Sequence, residues 1–287
     1  MRNFLLTTLL IFCLSPLFAQ GFSGGFRAGL NFNTFDGDQE MSADESITYE
    51  DFARTTGFHV GATFAYGITD LFGFKANFMY NQKGAQKDYT NTPSAFYLYL
   101  DENDVEGEAI FGTLRGEVDV VNSYIDIPVT AYYRIGPFEI EGGASMGFLV
   151  NSRASGGLSY ANTSINRDDN IIFNVEGSFF SDEAGFNGGD ARLDAPLRLP
   201  TIISTYYNSN STEPLYRRFD FALIGGIGVF LNNGLFLGAR YQHGITDVTR
   251  GENDLRQANE NRSQEREFNT DDEDYSRSIQ VSVGFRF

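Results

Sequence analysis

The 287-residue chain contains 28 phenylalanines, 15 tyrosines and 31 glycines but only 7 prolines, a composition that favours one all-β domain. Its formal charge of −17 argues against nucleic acid as a partner, because phosphates are bound through clustered lysines and arginines. No segment after the first twenty residues has the roughly 20 consecutive apolar residues that a transmembrane helix needs. A helical membrane protein is therefore excluded.

Residues 1–19 predict a cleavable export signal. Arg2 gives the positive start, an apolar core follows, and Ala19 ends a small-residue cleavage site. We therefore expect the mature chain, residues 20–287, to be one exported domain. The only cysteine, Cys13, lies inside the signal, so we expect neither disulfide bonds nor thiolate chemistry in the mature chain.

Stretches of about ten residues with alternating apolar and polar character are typical of transmembrane β-strands. Eight such stretches predict a single antiparallel up-and-down β-barrel of eight strands. They lie at residues 22–33, 55–66, 71–82, 122–135, 137–151, 218–231, 235–245 and 275–287.

The connections between these strands alternate in length. Three are tight turns, at residues 67–70, at Gly136 and at residues 232–234. The other four are long and polar, at residues 34–54, 83–121, 152–217 and 246–274. Short periplasmic turns and long extracellular loops are typical of outer-membrane barrels, and an even strand count places both termini in the periplasm.

Alternation gives each predicted strand an apolar face and a polar face. The polar face is mostly small residues with a few charges of both signs, which fits a narrow barrel interior better than a water-exposed surface. The apolar face is therefore predicted to face lipid, with aromatic residues near both rims, and the charges to pair inside. The predicted lumen network consists of Arg27, Lys75, Asp126, Arg134, Glu139, Glu141, Asp220, Arg240 and Arg286.

Two further strand-like runs, at residues 170–180 and 191–207, lie inside the third long loop. If both crossed the membrane, the barrel would have ten strands. We favour an extracellular hairpin, because Pro196 and Pro200 make the second run a poor lipid-facing strand.

Short sequence pieces lie in seven of the eight predicted strands: Phe26-Arg27-Ala28-Gly29-Leu30-Asn31-Phe32, Gly57-Phe58-His59-Val60-Gly61, Tyr80-Asn81-Gln82-Lys83-Gly84, Tyr124-Ile125-Asp126-Ile127-Pro128, Gly142-Gly143-Ala144, Leu235-Phe236-Leu237-Gly238-Ala239-Arg240-Tyr241 and Val283-Gly284-Phe285-Arg286-Phe287. Together these pieces resemble the PorT-like outer-membrane β-barrel domain family of Gram-negative bacteria. The resemblance implies a barrel fold, residence in the outer membrane and, for the founding member, a role in protein secretion. It contains no functional residues to transfer.

Catalysis at the outer rim, as in barrels that modify lipid A, would need a nucleophile beside its base. The two histidines are predicted on the interior face of the second strand, at His59, and near the outer end of the seventh, at His243. Their spacing from serines and carboxylates does not indicate such a pair. We predict no catalytic residue, and a lipid A-modifying enzyme is kept as an alternative.

Acidic runs raise calcium as a second possibility. They lie at residues 36–38, 101–108 and 271–274. The middle run departs from the EF-hand pattern because Val105 stands where a ligand is required, and the others lack ligand spacing. We predict solvated loops, with no metal and no cofactor.

A small-solute channel is a further alternative, but the interior of an eight-stranded barrel is filled by side chains. We therefore predict a closed, non-enzymatic outer-membrane barrel whose acidic loops serve a binding, structural or secretion-associated role. The expected partners are outer-membrane lipid and lipopolysaccharide, the barrel-assembly machinery through the C-terminal strand ending in Phe287, and envelope or secretion proteins, with no nucleic acid.

Overall fold

The structure is a computed structural model of the chain. It describes residues 21–37, 48, 50–98, 108–163, 170–178, 188–191, 199–200, 214–231, 234–250, 256–257, 268–269 and 273–287. The predicted signal, residues 1–19, lies outside the described residues and stays a prediction.

Eight long strands form a closed ring, and each pairs antiparallel with the next along the chain. The last strand pairs with the first from Gly25↔Arg286 to Asp36↔Tyr275, which closes the barrel. The strands are β1 (Phe22–Asp36), β2 (Thr55–Gly67), β3 (Phe72–Leu98), β4 (Glu108–Ile135), β5 (Phe138–Ala161), β6 (Phe219–Phe230), β7 (Leu235–Asp247) and β8 (Tyr275–Arg286).

The eight-stranded prediction is confirmed, and the ten-stranded alternative is wrong. β5 pairs directly with β6, from Phe148↔Phe219 to Phe138↔Val229, so no strand is inserted between them at membrane level. The first of the two doubtful runs forms the short strand Ile171–Ser178, which pairs with the outer end of β5. Of the second run, only Ala191 and the short strand Leu199–Pro200 are described.

The apolar face of the barrel points outward, as predicted. Large apolar side chains on all eight strands are exposed, whereas the polar side chains at alternate positions are buried inside. The predicted rim aromatics Tyr66, Tyr133 and Phe138 are exposed at one end, and Phe148 and Phe219 at the other. Because water would not favour this surface, its surroundings are the lipid bilayer.

The three connections predicted as turns are short. In the β2–β3 turn, the Ile68 amide donates to the Phe72 carbonyl at 2.9 Å. In the β4–β5 turn, Gly136 has a φ of 58°, a left-handed conformation that favours glycine. The described ranges contain no helix long and apolar enough to cross a membrane.

The predicted loops at residues 83–121 and 152–217 are wrong at their edges, because three strands continue well past the lipid-facing part. β3 runs to Leu98 instead of residue 82, β4 begins at Glu108 instead of residue 122, and β5 runs to Ala161 instead of residue 151. β3 and β4 stay paired over this length, with one register shift between Tyr89 and Thr92.

Where these strands leave the membrane, the apolar residues change from the outward face to the inward face. A search for strands with an apolar outward face therefore does not detect the outer parts of these strands. Along β4, Val129 and Ile127 point outward, but further out Asp119, Glu117 and Arg115 take the outward positions. The inward positions change in the opposite sense, from charged and polar to apolar. We call this part of β3, β4 and β5, with the strand Ile171–Ser178, the extracellular sheet.

The extracellular sheet closes over an apolar core. The core is completed by side chains from β1 and from the segments beside β6 and β7. Burial of apolar side chains in such a core stabilises the outer end of the barrel without contacts to lipid. Its members are Phe35, Ala85, Tyr89, Leu114, Val118, Val120, Tyr124, Leu149, Ala154, Leu158, Tyr160, Ile171, Val175, Leu215, Tyr216 and Val248.

This core predicts that Val118→Asp will open the extracellular sheet. Val118 is fully buried, and an unpaired buried carboxylate costs several kcal/mol. When intact cells are treated with trypsin, we expect the variant protein to be cleaved after the exposed Arg115 and the parent protein not to be cleaved there. Mass spectrometry of the released peptides detects the cleavage. Glu117→Ala, which changes the exposed neighbour, is the control, and no new cleavage in Val118→Asp would contradict a packed core at this position.

Candidate functional site

The inner wall of the membrane-spanning part carries a continuous set of buried polar side chains. Strand alternation aims every second residue into the lumen, and these positions hold the polar residues. A buried charge is stable only when it is paired and hydrogen-bonded, so their partners determine what the lumen can do. The buried charged residues in the lumen are Arg27, Lys75, Lys83, Asp126, Glu139, Asp220 and Arg240, joined by the nearly buried Glu141.

Glu141 is the centre of a periplasmic cluster made of Arg27, Lys75, Arg134, Glu139, Glu141, Arg240 and Arg286. Arg240 binds its carboxylate through two nitrogens, with Nη2 donating to Oε2 at 2.9 Å. Lys75 forms a second ion pair with Glu141, and Arg27 Nη1 lies 3.9 Å from its Oε1 atom. Three strands are thus tied to one carboxylate on β5.

Glu139 is the second carboxylate of the periplasmic cluster. Its Oε1 atom lies 2.5 Å from Lys75 Nζ, and its Oε2 atom accepts from Arg134 Nη2 at 2.8 Å. Arg286 Nη1 lies 3.7 Å from the same oxygen. The guanidinium of Arg134 also stacks on the Phe230 ring at 4.2 Å, so cations and aromatic rings close the periplasmic end together.

Lys83 is the centre of an outer cluster with Asp126 and Asp220. Its Nζ atom donates to Asp220 Oδ2 at 2.7 Å and lies 3.4 Å from Asp126 Oδ2, and all three side chains are buried. Lys83 also lies over the Tyr124 ring at 4.8 Å. The Lys83 ammonium on β3 thus joins the Asp126 carboxylate on β4 to the Asp220 carboxylate on β6 across the lumen.

The structure places all nine residues of the predicted network in the lumen, but in two clusters. Asp126 and Asp220 belong to the outer cluster, and the other seven form the periplasmic cluster. Lys83, which links the two aspartates, is absent from the predicted network because it was assigned to a loop. Its place could have been found from the inward positions of β3, Lys75, Asn77, Asn81 and Lys83, which continue at a spacing of two.

A layer of neutral hydrogen bonds fills the lumen between the two clusters. Asn31 Nδ2 donates to Asn81 Oδ1 at 2.7 Å, and Asn81 Nδ2 donates to Asp126 Oδ2 at 2.8 Å. From the far side of the ring, Gln242 Nε2 on β7 donates to Asp126 Oδ2 on β4 at 3.3 Å, and Gln242 Oε1 accepts from Gln280 Nε2 at 3.2 Å. Side chains from opposite sides of the barrel therefore meet across its centre.

His59 lies in this layer, and its spacing in the sequence does not predict a contact with a serine. Its Nδ1 atom lies 2.6 Å from Asn31 Oδ1 and its Nε2 atom 2.9 Å from Ser282 Oγ. A serine, a base and an orienting amide in this order resemble a nucleophilic centre. The surroundings argue for a packing role, because all three side chains are buried and a Cβ at Gly29 would lie only 2.7 Å from His59 Cε1.

The other residues singled out in the sequence are not brought into a site. His243 lies near the outer end of β7, with Nδ1 3.5 Å from the Tyr241 hydroxyl. Asp36, from the first acidic run, forms an ion pair with Arg277 at 2.7 Å. Residues 101–107 lie outside the described residues, and among those described no group of three or more His, Cys, Asp or Glu residues could hold a metal ion.

Comparison with known proteins assigns the barrel to a family. The sequence profile described as outer membrane protein beta-barrel domain matches residues 18–250. The chain belongs to this family. The barrel is therefore an outer-membrane protein, and its apolar belt lies in the outer membrane.

Solved structures similar to this outer-membrane barrel have low sequence identity to it. Ail, the attachment invasion locus protein of Yersinia pestis, is 9% identical over 93% of this chain and 99% of that one, with a TM-score of 0.35. Neisserial surface protein A is 10% identical over 93% and 100%, with a TM-score of 0.32. A FadL homologue of Pseudomonas aeruginosa is 8% identical over 93% and 90%, with a TM-score of 0.26. No curated protein matches the chain.

The geometry around Glu141 predicts that Glu141→Gln will destabilise the outer-membrane barrel. The change leaves Arg240 and Lys75 without their shared carboxylate, and removing one partner of a buried ion pair costs about 3 kcal/mol or more. The variant should therefore lose its heat-modifiable folded band on gels at a lower temperature than the parent. Glu117→Gln, a matched change at an exposed position, should convert at the parent temperature. Equal temperatures for all three proteins would remove Glu141 from a stabilising role.

Proposed function

We propose that this protein is a closed, non-enzymatic outer-membrane barrel that displays its extracellular sheet as a rigid surface for binding at the cell exterior. The observation that carries the proposal is the reversal of inward and outward polarity in β3, β4 and β5. It gives the protein a lumen without a continuous water path and a polar, folded structure outside the membrane.

The contents of the lumen support the closed part of the proposal. Three layers lie one above another: the periplasmic cluster, the neutral hydrogen-bonded layer with the outer cluster, and the apolar core of the extracellular sheet. A permeating solute would have to separate buried ion pairs and then cross packed apolar side chains. Both steps are unfavourable, so the barrel is proposed to act as an anchor and not as a channel.

The outer face of the extracellular sheet supports the binding part. Apart from the exposed Ile172, the outward side chains described in this sheet are mostly polar and of both signs, with Arg115, Glu117, Asp119, Arg153 and Ser155 exposed. The strands beneath are hydrogen-bonded and packed on the apolar core, so this face is held in one conformation before any partner arrives. A preorganised surface loses less conformational entropy on binding than a flexible loop does.

The proposal also covers the family group, the processing, the surroundings and the assembly of the protein. Membership of the PorT-like group, cleavage of residues 1–19 and a secretion-associated role are proposed on the resemblance and on the N-terminal pattern. Lipid and lipopolysaccharide are the proposed surroundings of the apolar belt. The barrel-assembly machinery is proposed to recognise β8, whose terminal Phe287 is exposed.

A closed lumen predicts no steady conductance from the refolded protein in a planar bilayer. The barrel should first show its heat-modifiable band, which proves that the sample is folded. Stable single-channel steps from such a sample would contradict the closed barrel and favour the small-solute channel instead.

Single cysteines test the display of the extracellular sheet, since Cys13 is the only native cysteine and lies in the predicted signal. On intact cells, a membrane-impermeant maleimide should label Ser155→Cys, which is exposed, but not Ser152→Cys, which is fully buried on the same strand. Thr69→Cys, in the β2–β3 turn, should react only after the cells are broken. Labelling of Thr69→Cys on intact cells would show that the barrel is inserted in the opposite direction.

A further inference from the structure

The periplasmic cluster carries more positive charge than its own carboxylates can neutralise. Five cations face two carboxylates, Glu139 and Glu141, a formal excess of three positive charges. The protein as a whole is strongly acidic, with a formal charge of −17, so this excess is opposite in sign to the chain. Excess charge of one sign in a buried site destabilises it unless a counter-ion is bound.

Several guanidinium nitrogens in the periplasmic cluster have no hydrogen-bond partner among the described residues. They include Nε of Arg27 and Nη1 of Arg240, whose residues are only 3% and 2% exposed. Nε of Arg134 and Nη1 of Arg286 have none either. A buried N–H group without an acceptor costs free energy, and charged donors cost more than neutral ones. The cluster therefore has both unneutralised charge and unused donors.

A small cavity lies beside two of these residues, Arg27 and Arg286. Its charged wall is formed by Arg27, Lys75 and Arg286 together with the carboxylates of Glu139 and Glu141, and its apolar wall includes Phe236 and Phe285. Its volume is about 20 Å³, which is room for one water molecule or one monatomic ion. A small space with a partly apolar wall favours a small ion with a weakly held hydration shell over a larger, strongly hydrated oxyanion.

We propose that the periplasmic cluster binds one halide-sized inorganic anion, chloride in the natural setting, between Arg27 and Arg286 beside Phe236. The anion accepts hydrogen bonds from the unused guanidinium donors and neutralises part of the excess charge. It binds the folded barrel and not the unfolded chain, in which these arginines are apart. Chloride therefore stabilises the barrel by ligand linkage, as any ligand specific for the native state does.

The test measures the unfolding temperature of the mature protein in detergent, in sodium chloride and in sodium gluconate at equal ionic strength. Gluconate is too large for the cavity and controls for general screening. We expect the unfolding temperature to be several degrees higher in chloride and the effect to saturate as chloride is titrated against gluconate. Bromide should act as chloride does, and its anomalous signal in crystals should lie beside Arg27.

The variant Arg27→Gln removes one donor of the cavity and one of the excess charges, and it should lose most of the chloride-dependent shift. Arg277→Gln is the matched control, because Arg277 pairs with Asp36 away from the cavity, and it should keep the full shift. If Arg27→Gln does not fold, Arg286→Gln, at the partly exposed mouth, carries the same test. Equal unfolding temperatures of the parent protein in chloride and gluconate would overturn the proposal, as would an unchanged chloride shift in the folded arginine variant.

Discussion

A strand that crosses a membrane and continues into water must change the side on which it carries its apolar residues. Within the bilayer, the apolar side chains point outward to lipid and the polar side chains point into the lumen. Beyond the bilayer, the polar side chains point outward to water and the apolar side chains pack in a core inside. β4 meets both demands in one unbroken strand, with Val129 outward in lipid and Val118 inward in the extracellular core. The rest of the structure depends on this reversal.

The reversal explains why the lumen is filled as it is. Because the apolar side chains mostly face lipid, the side chains that fill the barrel interior at membrane level are mostly polar among the residues that the structure describes, and hydrogen bonds and ion pairs join them. Glu141 and Lys83 each join strands that are not neighbours in the ring, Lys83 by spanning from β3 to β6. These cross-lumen pairs fix the shape of a narrow barrel and lie across its lumen, so the same interactions account for its stability and for the closure that we propose.

The sequence was sufficient to predict the eight strands and their pairing order and to select nine charged residues that lie in the lumen, because alternation has a period of two that can be found without a structure. It was not sufficient for the extracellular sheet. In the extracellular sheet the alternation continues, but the apolar residues point inward and the polar residues point outward. Ala85 and Tyr89 therefore resemble part of a polar loop in the sequence. Lys83 is missing from the predicted network because the predicted strand ends before it. The Ser282 contact of His59 joins residues 223 positions apart, and no spacing rule predicts it.

The two ends of the barrel are therefore suited to different tasks. The periplasmic end is tied by ion pairs and short turns and carries a formal excess of positive charge, which is why the proposed anion site lies there. The extracellular end has its own apolar core, so residues on its outer face can change without disturbing the cross-lumen pairs below. Because the buried ion pairs lie in the lumen and the exposed side chains lie on the extracellular sheet, we expect substitutions on the outer face to leave the ion pairs intact, and this face is where we propose partner recognition.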